Sequence, residues 1–338
     1  MPERVYFEPE AMEYPLGREL YKLFSTQKIP IIKTTSHNRI TGIPGKTTGE
    51  QYVQAKRTLV VGLKKDLNFE VCKPSADYQF SLGTGCPASC EYCYLQTTQG
   101  KKPYIRVYVN LEDIFESINQ HIASQAPNIV TFEAASTCDP VAIEHLTGSL
   151  QRTIEFFGQQ EAGKLRVVTK YPFVDKLLTA KHNGNTHFRF SVNSYYVFST
   201  FEHNTGTLKE RIDAARKIDG AEYPVGFIIA PIMVYAGWKE EYADLLKTLS
   251  QNLAPSSGRP AITFELIQYR FTASAKKVIL ERFPRTKLDM EETERLKKWG
   301  KYGRYKYVYP RELAKEIKDY MQGIILEHFP EANIEYFT

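Results

Sequence analysis

The sequence has 338 residues, 42% of them hydrophobic, and a formal net charge of +5. That length allows a substantial core and exceeds one average domain, although a single α/β barrel with appendages accommodates it. The opening MPERVYFEPEAMEYPLG has no basic segment followed by an apolar run. No stretch approaches the ~18 consecutive apolar residues of a membrane span, so a cytoplasmic protein with no membrane partner is expected.

Residues 1–75 read as an N-terminal α/β extension, with turn signals over 37–45 and one apolar strand at 58–63. From residue 76 to 270 the pattern alternates. Strand-like runs fall at 78–84, 128–134, 165–171, 187–193, 225–232 and 262–268. Amphipathic helical stretches lie at 111–122, 143–157, 174–182, 207–219, 240–253 and 273–283. Leu111, Ile114, Phe115, Ile118 and Ile122 share one helical face, and Asn110 stands at the N-cap position. Repeated βα units predict parallel strands with right-handed crossovers. Six units are too few for a closed eight-stranded barrel. The expected fold is therefore a partial (β/α)6 TIM-like barrel, with its chemistry on the loops that follow the strands.

Residues 271–338 form a C-terminal segment containing WGKYGRYKYVY (299–309), a helix near 311–328 and a closing strand. Between Arg270 and Tyr309 stand twelve Lys/Arg against five acidic residues, which leaves the rest of the chain slightly acidic. Such concentrated positive charge points to a polyanion, and the alternative is a solvated helix face. The two glycines in the aromatic run suit a short hairpin. Its rings could stack on bases and its cations could neutralise phosphates; the structural alternative is an edge hairpin whose charges block aggregation.

Five cysteines is an odd number, and three of them cluster in GTGCPASCEYCYLQ (83–96), which argues against a disulfide framework and for a reducing compartment. Cys86, Cys90 and Cys93 are one ligand short of a structural zinc set, which only a distant histidine could complete. Thiolates also hold iron–sulfur clusters, one per iron, and three of them leave one iron of a four-iron cluster open to a substrate.

The Cys-x3-Cys-x2-Cys spacing, with Tyr92 just before the last cysteine, resembles the radical S-adenosylmethionine superfamily. YCYLQTT (92–98), KPYIRVYVNLEDI (102–114), TTSHNRITGIPG (34–45), FELIQYRFT (264–272) and WGKYG (299–303) together resemble the spore photoproduct lyase family, and the likeness runs essentially the whole chain. The resemblance implies a [4Fe-4S] cluster on Cys86, Cys90 and Cys93, with S-adenosylmethionine as co-substrate. It implies repair of 5-thyminyl-5,6-dihydrothymine to two thymines in UV-damaged double-stranded DNA, the lesion being flipped out of the duplex. It further implies a monomer in the spore core that draws electrons from a donor such as flavodoxin or ferredoxin.

By the same resemblance, Tyr92 and Tyr94 relay a radical. Tyr94, Cys138, Lys170, Ser191 and Ala230 meet the cofactor, and Lys301, Tyr302 and Lys306 engage DNA. The family's hydrogen donor sits in a Phe-Glu-Ala-x-Cys-Thr-Ser-Asp pattern, but this chain places Ser136 at the cysteine position and Cys138 two residues later. An S–H bond is weaker than C–H and can donate to a carbon radical, whereas serine O–H is too strong. Cys138, on the expected loop, is the first candidate donor, and Cys72 is the second. Two other readings stay open: a radical enzyme acting on a different nucleic acid, and a zinc-stabilised DNA-binding protein without catalysis.

Overall fold

The computed structural model describes residues 1–34, 40–134, 136–253, 260–300 and 305–338. In chain order the elements are β1 (Arg4–Phe7), α1 (Pro15–Thr26), β2 (Ile31–Lys33), α2 (Thr48–Lys56), β3 (Thr58–Gly62), β4 (Glu70–Val71), β5 (Tyr78–Gln79), β6 (Gly83–Thr84), α3 (Leu95–Thr98), β7 (Ile105–Tyr108), α4 (Leu111–Ser124), β8 (Val130–Glu133), α5 (Pro140–Thr147), α6 (Ser149–Gly158), β9 (Gly163–Thr169), β10 (Thr186–Val192), α7 (Tyr195–Phe201), α8 (Leu208–Gly220), β11 (Val225–Ile232), α9 (Trp238–Asn252), β12 (Thr263–Gln268), α10 (Ala273–Arg282), β13 (Leu296–Trp299), β14 (Tyr305–Val308), α11 (Arg311–His328) and β15 (Asn333–Phe337). The strands β5, β8, β9, β10, β11 and β12 belong to the expected partial (β/α)6 barrel. Among the described residues no helix is long and apolar enough to cross a membrane.

The chain divides into two compact units. The first comprises residues 1–87, 98–169 and 175–186. One of its sheets runs β2-β1-β3-β7-β6, parallel except for β6. In a second set of strands β5 pairs in parallel with β8, and β8 with β9. The core of β3 is an unbroken buried run, Thr58 to Gly62, as a strand covered on both faces requires. Helix α2 begins at a capping box in which Thr47 and Glu50 satisfy each other's backbone donors.

Three expectations are corrected in the regions that build this unit. The single strand expected at 78–84 is two short strands: β5 pairs with β4 and β8, while β6 pairs with β7. The single helix expected at 143–157 is broken at Gly148, whose φ of +59° ends α5. The Glu144 carboxylate then accepts the backbone N–H groups of Leu150 and Gln151 and so starts α6. The helix expected at 174–182 is one 3₁₀ turn at Asp175–Leu177. Val174, Leu177 and Ala180 are all buried, a spacing of three that suits 3₁₀ geometry better than the α-helical 3.6.

The second unit comprises residues 88–97, 170–174 and 187–338. Its strands run β10-β11-β12-β15, every neighbouring pair parallel. Buried Phe188, Phe190, Phe227, Phe264 and Phe329 fill this core. An ion pair is buried within it, Arg189 to Glu265 at 2.7 Å, with Tyr336 donating its hydroxyl to the same carboxylate. Helix α8 starts at a second capping box, Thr207 with Glu210. Strands β13 and β14 form the expected antiparallel hairpin, pairing Trp299 with Tyr305 and Lys298 with Lys306.

Candidate active site

The three clustered cysteines lie on the loop between β6 and α3. Gly85 enters that loop at φ +79°, and a Cβ there would meet the Tyr104 carbonyl oxygen at 2.4 Å, so the turn requires glycine. In the first unit, Lys56 donates its ammonium to the Cys86 carbonyl at 2.6 Å. Within the second unit, the segment 201–203 braces the loop. Ser89 N–H donates to His203 O at 2.8 Å, Glu91 N–H to Phe201 O at 3.0 Å, and the His203 ring meets the Glu91 carboxylate at 2.8 Å. Gln96 donates to the Cys90 carbonyl at 2.9 Å, and Arg282 from α10 donates to both the side chain and the backbone of Gln96. Cys86 and Cys93 are half-buried and Cys90 is buried, and none of the five cysteines is in a disulfide. Three thiols within eight residues of a backbone-braced loop match, in number and sequence spacing, the three-thiolate donor set of an iron–sulfur cluster.

The second unit also gathers a buried polar network that sequence patterns did not reveal. Lys170, directly after β9, donates to Glu202 at 2.6 Å and to the Tyr92 hydroxyl at 2.8 Å. Tyr92 in turn donates to Glu202. Arg211 from α8 donates to the other Glu202 oxygen at 2.6 Å and to the Ser191 carbonyl at 2.9 Å. Burial by itself would push the Glu202 carboxyl up; Lys170 and Arg211 more than reverse that and hold it below the usual range. Burial, and then the Glu202 charge, push the Tyr92 phenol well above its ordinary value. Ser191 is buried in β10 and Ala230 is half-buried in β11. Tyr94 is 58% exposed, unlike Tyr92. No pattern in FSTFEHNTG marks Glu202, and Arg211 reads as an ordinary helix-face cation; only the fold reveals them.

In the first unit, the Cys72 sulfur lies 3.6 Å from the Ser136 hydroxyl oxygen. Cys138 is sealed, 3% exposed, and burial, Asp139 and Cys86 all push its thiol strongly upward. Its neighbour Asp139 caps α5 and accepts from the Thr169 hydroxyl at 2.8 Å.

The hairpin presents Trp299 and Tyr305 to solvent, edge to face at 4.7 Å. Its base is fixed. Arg295 lies 4.0 Å over the Tyr309 ring and pairs with Asp289 at 2.7 Å, while Tyr307 stacks on Phe271. Lys306 sits on β14, where burial, Arg270 and Lys298 lower its ammonium pKa. Lys301 and Tyr302 lie outside the described residues.

A partial (β/α)6 barrel whose first loop carries Cys-x3-Cys-x2-Cys is the arrangement of the radical S-adenosylmethionine class. A family model for spore photoproduct lyase matches residues 1–338. The spore photoproduct lyase of Geobacillus sp. (strain Y412MC61) is 53% identical over 338 residues, covering all of this chain and 99% of that protein. That of Bacillus subtilis (strain 168) is 50% identical over 338 residues, covering all of this chain and 98% of that protein. A solved structure of a spore photoproduct lyase double mutant with bound AdoMet and dinucleoside spore photoproduct matches with a TM-score of 0.96 at 53% identity. It covers 100% of this chain and 99% of that one. The chain belongs to the spore photoproduct lyase family.

Proposed function

We propose that this chain is a radical S-adenosylmethionine lyase that returns spore photoproduct in DNA to two thymines. The observation that carries the reading is the whole-chain match, at a TM-score of 0.96, with a lyase holding both AdoMet and the dinucleoside lesion. Cys86, Cys90 and Cys93 would each hold one iron of a [4Fe-4S] cluster. Lys170, Ser191, Ala230, Tyr94 and Cys138 would line the S-adenosylmethionine site. When bound, the two groups supply a 5′-deoxyadenosyl radical that removes a hydrogen atom from C6 of the dihydrothymine half. An external one-electron donor, a flavodoxin or ferredoxin, would supply the electron that this chemistry needs. The protein acts as a monomer in the spore core, and residues 271–338 engage DNA through Lys301, Tyr302 and Lys306.

Opening of the methylene bridge leaves an unpaired electron on the other thymine's methyl carbon. We assign its quenching to Cys72 rather than Cys138. The Cys72 sulfur lies against Ser136, which occupies the family's donor position, whereas Cys138 is enclosed. In this step the Cys72 S–H bond breaks and a C–H bond forms on the methyl carbon. The thiyl radical left on Cys72 is relayed through Tyr92 and Tyr94, whose O–H bonds are comparable in strength to S–H: a phenol hydrogen re-forms S–H, and the last phenoxyl radical would regain a hydrogen atom from the methyl group of the 5′-deoxyadenosine formed in the first step.

Anaerobic incubation with dinucleotide spore photoproduct tests both levels. Wild type is expected to yield thymine dinucleotide, and its absence would refute the lyase reading. Cys72→Ala is expected to open the bridge but give adducts with the reductant, while Cys138→Ala gives clean product. The reverse pattern would move the donor to Cys138.

A further inference from the structure

Within the first unit, Cys72 opens the turn that joins β4 to β5. Each of those strands is two residues long, and they share the pairs Glu70 with Gln79 and Val71 with Tyr78. A two-stranded hairpin of that size is marginal by itself, so its place is set by what it is tied to. The turn closes on Cys72. Its N–H donates to the Asp77 carbonyl at 3.1 Å, and its own carbonyl accepts from the Ser75 and Ala76 N–H groups at 3.1 and 3.3 Å. Side chains then fasten the turn to β8. At its base, the Asp77 carboxylate accepts from the Thr131 N–H at 3.0 Å and from the Thr131 hydroxyl at 2.7 Å. At its tip, half-buried Ser75 donates its hydroxyl to Glu133 at 2.6 Å. Glu133 is 3% exposed at the end of β8, and the chain reaches Ser136 three residues later. One buried side chain thus ties the turn of Cys72 to the strand end that leads to Ser136, whose hydroxyl oxygen lies 3.6 Å from the sulfur.

We propose that Ser75 and Glu133 are positioning residues for the hydrogen donor. Their bond sets the Cys72 sulfur at the place from which it quenches the radical on the thymine methyl carbon. The inference rests on the assignment of that quenching to Cys72 under the proposed function. Transfer of a hydrogen atom needs its two partners in near contact, and a displacement of about 1 Å can cost a hundredfold in rate. Bridge opening precedes the transfer, so loosening the turn slows the quench and not the opening. The methyl radical then lives longer and is captured by the reductant.

The test is anaerobic turnover of dinucleotide spore photoproduct by the cluster-loaded enzyme. It scores the lesion consumed and the ratio of reductant adduct to thymine dinucleotide, beside hydrogen exchange of residues 70–79 read by mass spectrometry. Ser75→Ala is expected to raise the adduct ratio about tenfold and to speed exchange in that segment, with lesion consumption within about twofold of wild type. Ser75→Thr keeps a hydroxyl and is expected to hold the adduct ratio within about threefold of wild type. A bond that is merely structural would lower the urea midpoint and leave the adduct ratio unchanged, and that result overturns the proposal. An adduct ratio as high in Ser75→Thr as in Ser75→Ala does the same. So does a loss of lesion consumption in folded Ser75→Ala, which would place the turn in an earlier step. If Ser75→Ala does not fold, Glu133→Gln carries the test. An amide oxygen is a weaker acceptor than a carboxylate, so the adduct ratio is expected to rise about threefold, and an unchanged ratio overturns the proposal. Clean product from Cys72→Ala refutes the donor assignment itself, and it is read independently of the Ser75 and Glu133 variants.

Discussion

The Glu202 network and the hairpin of β13 and β14 use the same kinds of residue in opposite ways. Around Glu202, cations, a phenol and a carboxylate are withdrawn from water and bonded to one another at 2.6–2.8 Å. On the hairpin, lysines and aromatic rings face solvent above a base clamped by Arg295 and Tyr309. Removing charges from water is costly unless each finds a partner, so the first arrangement fixes a small number of atoms in one geometry. Exposed cations are screened by salt and adapt to an extended polyanion. The first is the arrangement proposed to receive a compact zwitterionic ligand, the second the one proposed to meet a DNA backbone.

The largest expected effect comes from breaking the interior network. Glu202→Ala leaves Lys170 and Arg211 adjacent with no anion between them, and stability should fall by about 3–5 kcal/mol. A urea midpoint equal to that of wild type would show that water or rearranged side chains already compensate these charges.

A second buried carboxylate sharpens the comparison because, among the described residues, no cation is in hydrogen-bonded contact with it. Glu144 is pushed up to about 7, chiefly by burial, while the backbone bonds from Leu150 and Gln151 pull the other way. Its folded value lies above its unfolded one, so the stabilisation is complete below the unfolded value of 4.5 and is lost as pH rises through about 7. The loss should be roughly 3 kcal/mol. Glu202, held low, has the opposite sign: its contribution is present at neutral pH and lost on acidification. Denaturant midpoints measured across pH 4–8 should therefore flatten in Glu144→Gln. A slope that survives that substitution would assign the titration to another group.

The smallest effect on stability, and the clearest on binding, is expected at the hairpin. Replacing the paired Lys298 and Lys306 by Gln should change stability by no more than about 0.5 kcal/mol. The slope of log affinity against log salt for duplex DNA should drop by about two, close to one per phosphate contact. An unchanged slope would place the phosphate contacts elsewhere and leave the hairpin its protective role at a sheet edge.

Periodicity and local chemistry made much of the molecule legible from sequence. The strands at 163–169, 186–192, 225–232 and 263–268 and the helices at 111–124, 208–220 and 238–252 follow directly from apolar spacing, although the cap expected at Asn110 does not form, because its side-chain oxygen accepts from the Lys64 N–H instead. The cysteine spacing needed no fold to be noticed, because its chemistry is carried within eight residues. Three local readings failed, the helix at 174–182 giving way to one 3₁₀ turn and the other two where a capping or pairing partner decides. A backbone-capping carboxylate and a left-handed glycine split one helix into α5 and α6, and pairing with two different partners split one strand into β5 and β6.

The sequence by itself determined that there is a three-thiol loop, six βα units and a basic aromatic C-terminal segment, since each is a short-range pattern. It also showed that the family's donor position holds serine. Only the tertiary structure decided which thiol lies against that serine. Cys138 is two residues from Ser136 along the chain, yet Cys72, sixty-four residues away, has its sulfur within 3.6 Å of the hydroxyl. The fold likewise joined Tyr92, Lys170, Glu202 and Arg211, which no motif connects. Electrostatic and hydrogen-bonding forces act over a few ångströms of space, and separation along the chain does not report that distance.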